Sequence, residues 1–123
     1  MNKLVNYIIK NGGMTYNPRL GEHVTSGFMC AKAENEMIID GLCGEMDLAK
    51  YMAKYAHDFR DERAMFGAWM NQEDGKTYLD TSFVFETEEE AIAFGKANNQ
   101  LAIFHLDTFT EIRISYEDEL LSA

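Results

Sequence analysis

Between Met65 and Leu106 the chain runs MFGAWM, NQEDGK, TYLDTSFVF, ETEEEAIAFGKANNQ and LAIFHL, and this stretch leaves few folds open. An apolar strand from Met65 to Met70 meets a loop containing Asp74-Gly75, a strong hairpin signal. In the returning strand, Leu79, Thr81, Phe83 and Phe85 project to one face, and Tyr78, Asp80, Ser82 and Val84 to the other. The second face is partly polar, so it either meets solvent or lines a site; a solvated face is the plainer reading. Thr87 followed by Glu90 has capping-box spacing, with Glu88 and Glu89 at the positive end of the helix dipole. That helix should stop near Asn98-Asn99, since Asn tolerates left-handed backbone. Leu101 to Leu106 then re-enters the sheet, Glu111 to Ile114 adds an edge strand, and Ser115 to Ala123 is a helical turn or loose tail.

The first half is less definite. Leu4, Val5, Ile8 and Ile9 before Gly12 predict a short helix over 2–10, with a β-branched strand as the competitor. Met14 to Leu20 leads to a turn region. Gly27 to Ala33 reads as a strand and Glu36 to Asp40 as its partner, with Glu34-Asn35 at the turn. From Met46 to Phe59, Leu48, Tyr51, Met52, Tyr55, Ala56 and Phe59 recur at helical steps and form a core stripe. Strand-strand-helix thus occurs twice, at 27–59 and 65–98. The expectation is one domain over 1–123, an α+β fold: an antiparallel sheet with helices packed on one face.

The formal charge of −10 argues against direct nucleic-acid binding, because such a chain repels phosphate. It suits a basic protein partner, or simply solubility. Cys30 and Cys43 form no CxxC, and a reduced thiol pair is expected. His23, His57 and His105 show no ligand spacing, so no metal site and no cofactor is expected. No segment has the length of a membrane span or a secretory signal, which points to the cytoplasm. None of the usual nucleotide, hydrolase or metal motifs is present, so the expectation is a protein without catalysis. A Cys30 or Cys43 nucleophile acting with His57 is the enzymatic alternative. There are four arginines, Arg19, Arg60, Arg63 and Arg113. An anionic ligand would need such guanidinium forks, unless they pair with surface carboxylates instead.

The segments Gly12-Gly13-Met14-Thr15-Tyr16-Asn17-Pro18, Ser26-Gly27-Phe28-Met29, Gly67-Ala68-Trp69, Tyr78-Leu79-Asp80-Thr81-Ser82, Glu89-Glu90-Ala91 and Asn99-Gln100-Leu101-Ala102-Ile103 together resemble small bacteriophage- and prophage-encoded accessory proteins. The resemblance implies a phage-type gene product outside the virion, acting in the host bacterial cytoplasm against a defence system. In size and strand–helix layout the chain is also similar to anti-Thoeris sponges, which sequester a cyclic nucleotide signal in an oligomer. That second likeness implies Arg60, Arg63 and Arg113 on phosphates, and Phe85 with Asn98 or Asn99 on a base. Two functions follow: a homo-oligomeric nucleotide-sequestering anti-defence protein, or an acidic, DNA-mimic-like inhibitor of a nuclease, restriction or CRISPR complex.

Overall fold

The computed structural model describes residues 2–116; of the expected tail, residues 117–123 lie outside the described residues. The chain opens with α1 (Asn2–Asn11), the helix alternative of the two sequence readings. It ends as Gly12 N–H donates to Ile8 C=O at 2.8 Å. Then come β1 (Gly13–Asn17), β2 (Glu22–His23), β3 (Phe28–Ala31) and β4 (Met37–Asp40), followed by α2 (Glu45–Lys54). The hairpin β5 (Ala64–Asn71) and β6 (Lys76–Phe85) leads into α3 (Glu88–Ala97), β7 (Ala102–His105) and β8 (Thr110–Arg113). All strand pairs are antiparallel, and the α+β expectation holds.

The strand order is β2-β1-β5-β6-β3-β7-β8, with β4 also paired to β6. Two features depart from the sequence reading. Residues 13–17 form a strand, paired through Met14↔Ala68 and Tyr16↔Phe66, where only an approach to a turn was expected. Its GMTYN run has no clean alternation, so the partner strand supplies the preference that local sequence lacks. Second, β3 and β4 do not pair with each other. Both lie along one edge of β6, β3 against Ser82–Phe85 and β4 against Lys76–Leu79. The chain between them leaves the sheet as a 3-10 turn at Ala33–Asn35, so a break falls beside Asp80 and Thr81. Lys32 N–H still reaches Thr81 C=O at 2.8 Å.

The helices cover one face of the sheet. α2 is shorter than its apolar stripe: it stops at Lys54, and a 3-10 turn at Asp58–Arg60 carries Phe59 onward into the core. Tyr51 stacks on Phe66 at 5.0 Å, and Phe59 packs beside both. α3 has the expected cap, with Thr87 Oγ1 accepting from Glu90 N–H at 3.2 Å. It lies close enough to the sheet that a Cβ on Gly95 would meet Ile114 Cδ1 at 2.4 Å, so the position admits no larger side chain without movement.

One polar network is built into this covered face. Tyr51 Oη sits 2.8 Å from both the Asn35 carbonyl and Thr81 Oγ1. Asn35 Nδ2 donates to Thr81 Oγ1 at 3.2 Å and to Asp58 Oδ2 at 2.8 Å, and Lys32 Nζ reaches Asp58 Oδ1 at 2.9 Å. Each buried polar group is answered from inside the fold, which is what makes such a network stabilising. Arg19 fastens the other side, donating to the carbonyls of Phe59, Glu62 and Ala64 at 2.6–2.8 Å.

Candidate functional site on the open sheet face

The face away from the helices is where the chain leaves chemistry unanswered. Strand registers set its side chains in rows. Ile38, Tyr78 and Trp69 stand side by side across β4, β6 and β5. The next row holds Asp80, Gly67 and Thr15 across β6, β5 and β1. Beyond it lie Ala31, Ser82 and Met65.

This face is concave. Thr15 Oγ1 lies 3.7 Å from Met29 Sδ, although β5 and β6 separate their strands. On a flat sheet those strands would stand roughly 14 Å apart, so the sheet must curl toward this side for the two side chains to meet. Curling explains why Ser82 and Met65 are buried without a helix above them. The rim stays open: Trp69 is 46% and Ile38 50% exposed. Trp69 stacks on Tyr78 at 4.9 Å, and the Tyr78 hydroxyl donates to Asp74, which steadies the pair.

Asp80 is the unusual member. Its carboxylate leans over Gly67 so closely that a Cβ there would lie 2.1 Å from Oδ1. Ser82 Oγ donates to Oδ1 at 2.9 Å. Burial pushes the Asp80 carboxyl up to about 6; the Ser82 hydrogen bond opposes this and the Glu36 charge adds to it. The residue as a whole is half-buried, and its carboxyl is desolvated by its neighbours. A carboxylate held in this way accepts donors and cations well, because little water must be displaced to reach it.

The residues expected to hold a nucleotide are distributed differently. Arg63 and Phe85 meet: the guanidinium lies 5.2 Å from the ring centroid. The same guanidinium also engages Asp61, at 3.0 Å through Nη2. Phe85 is otherwise a core residue packed on Phe94. Arg60 is exposed, at the end of the 3-10 turn. Asn98 and Asn99 close α3 at its far end, about 15 Å along the helix from its start. Asn98 Nδ2 donates to Phe94 C=O at 2.8 Å and Asn99 adopts φ +57°, so both act as helix-ending residues. Arg113, exposed on β8, faces Glu111 at 3.4 Å.

Other reactive groups are enclosed or on the surface. Burial raises both thiols, Cys30 to about 11, and thereby keeps them protonated. His23 stacks on Tyr7 at 3.6 Å with Nδ1 buried and without a hydrogen-bond partner among the described residues, and burial lowers its pKa. Thr108 Oγ1, His105 and Asp107 follow one another at 3.0 and 3.3 Å, an order known from hydrolases. They lie on the exposed β7–β8 turn, where Asp107 also accepts from Gly27 N–H at 2.7 Å and Thr108 is bound to Thr110. These bonds close the turn. Two clefts of about 380 and 390 Å³ lie elsewhere, one floored by Phe66 and Tyr16, the other beside Leu42 and Met70. Neither is lined by a histidine, a cysteine or a carboxylate. No group of three or more His, Cys, Asp or Glu residues suited to a metal ion occurs among the described residues.

No family model, curated protein or solved structure matches the chain, so the site stands on its geometry. What sequence reasoning passed over was Gly67. A glycine inside a strand signals close approach, and here it stands opposite Asp80.

Proposed function

We propose that this protein is a phage- or prophage-encoded anti-defence factor that acts by occupation, without catalysis, and seats a basic protein of the host on the open face of its sheet. The anti-defence setting rests on the sequence resemblance. The choice of partner rests on one observation: the desolvated Asp80 carboxylate sits beside an exposed Trp69–Tyr78 stack on a concave face. Aromatic anchors surrounded by charge are the usual composition of an interface centre. The chain's net charge of −10 speeds encounter with a basic surface and disfavours an anionic ligand.

The test is capture from a bacterial lysate by the intact protein and by Trp69→Ala. The reading expects one basic protein retained by the wild type, released as salt is raised, and absent with the variant. Equal retention by both proteins, or none by either, counts against it. The nucleotide-sequestering reading draws on the Arg63–Phe85 contact. It would be favoured instead if heating the purified protein released an intact nucleotide.

A further inference from the structure

We propose that β8 is a dimerisation edge, on which a second copy of this chain lays its own β8 antiparallel, with Glu111 opposite Arg113 and Ile112 opposite Ile112. This dimer stands independently of the docking reading above.

Among the described residues, β2, β4 and β8 each pair with one strand only, so each leaves a side of its backbone without a strand partner. They differ in what that side offers. β2 is two residues long, too short for a ladder. β4 reads Met37-Ile38-Ile39-Asp40 and carries an acid with no base, so a second copy has nothing there to neutralise its own acid. β8 reads Thr110-Glu111-Ile112-Arg113, with opposite charges two positions apart and both side chains exposed. An edge of one sign repels its own copy, whereas an edge with both signs at this spacing is complementary to itself.

The ladder to β7 decides which backbone groups face outward. Ile114 N–H donates to Leu101 C=O at 2.9 Å. Bonded and non-bonded pairs alternate along an antiparallel ladder, so Ile112 and Thr110, opposite Ile103 and His105, also aim their backbone at β7. Glu111 and Arg113 aim theirs away from it. Those are the groups an antiparallel partner needs. Glu111 exchanges N–H···O=C bonds with Arg113 of the second copy, and the two-fold axis at Ile112 repeats the exchange between Arg113 and the second copy's Glu111.

The side chains agree with this register. Each Glu111 stands directly across from a guanidinium of the other copy, in place of the 3.4 Å contact it makes with Arg113 of its own strand. Ile112 packs on the core opposite Ile103, so at the axis it meets its own copy and the apolar layer runs on across the join. At the turn end of the strand Phe109 is 81% exposed and packs edge-on against Phe104 at 5.8 Å, so an apolar side chain flanks the join. The axis lies normal to the sheet, and both open faces therefore look the same way.

The test is sedimentation velocity of the full chain over a concentration series, with the wild type, Glu111→Arg, Arg113→Glu and an equimolar mixture of the two variants. Both side chains are exposed, so each variant should keep the wild-type circular dichroism spectrum. The wild type is expected to pass from monomer to dimer as concentration rises. Each variant alone sets like charges opposite each other and should need at least about tenfold more protein to dimerise. In the mixture, the basic variant's guanidinia face the acidic variant's carboxylates, and the dimer should return at the wild-type concentration. A wild type that stays monomeric up to about 1 mM, variants that dimerise as readily as the wild type, or a mixture no better than its separate components overturns the β8 pairing. Loss of lysate capture leaves the dimer standing, and a monomeric wild type leaves the docking reading standing.

Discussion

Asp58 and Asp80 are both acids close to Thr81, and the two faces of the sheet treat them in opposite ways. On the covered face, Asp58 receives Asn35 and then Lys32, and these hydrogen bonds hold its carboxyl below the usual range. On the open face, Asp80 receives only Ser82 among the described residues while its neighbours exclude water, and its carboxyl is raised to about 6. The first arrangement stabilises the fold and leaves no acceptor for anything outside. The second costs stability at neutral pH. A buried polar group that the fold does not answer is where binding is to be sought.

This contrast can be broken most forcefully at Asn35. Asn35→Ala removes the amide that joins Thr81 to Asp58 and leaves Asp58 short of a donor. The expected loss is about 3 kcal/mol in urea unfolding at pH 7. A loss under about 1 kcal/mol would mean that the network is not a unit.

Asp80→Asn should act in the other direction. The folded Asp80 carboxyl lies above its unfolded value, so its favourable contribution is present below about pH 4 and is lost as pH rises through about 6. The variant should therefore exceed the wild type by about 2 kcal/mol at pH 8, with the difference vanishing near pH 4. Asp58 has the reverse sign. Its depressed carboxyl stabilises the fold above the ordinary aspartate value near 4, and that contribution fades as pH falls below it. Asp58→Asn should be less stable than the wild type at pH 7 and match it under strong acid, as read by thermal melts across pH.

The smallest effect on stability is expected at Trp69. Its indole is nearly half exposed, so Trp69→Ala should change unfolding by about 0.5 kcal/mol while abolishing partner capture. A variant that unfolds readily would place Trp69 in the fold's support and not in its function.

The second half of the chain was legible because its signals are local. Asp74-Gly75 turns the hairpin, Thr87 and Glu90 cap α3, and alternation from Tyr78 to Phe85 assigns each residue to the correct face. The first half was less so because its structure is imposed from a distance. β1 is a strand through its partners β5 and β2, and β3 and β4 avoid each other because each finds β6. Sequence placed Asp80 and Ser82 on one face, but not the curl that buries Ser82 or the closeness of Gly67 that desolvates Asp80. Arg60, Arg63, Phe85, Asn98, Asn99 and Arg113 were legible as residue types alone. Phe85 is placed by the core and Asn98 and Asn99 by the helix end they terminate.

The most direct test of the open face as the working surface is an amide correlation spectrum of the labelled protein, recorded with and without an arginine-rich peptide at moderate salt. The account predicts shifts gathered at Ile38, Gly67, Trp69, Tyr78 and Asp80. Shifts confined to α1, α2 and α3, with those five residues unmoved, would contradict it.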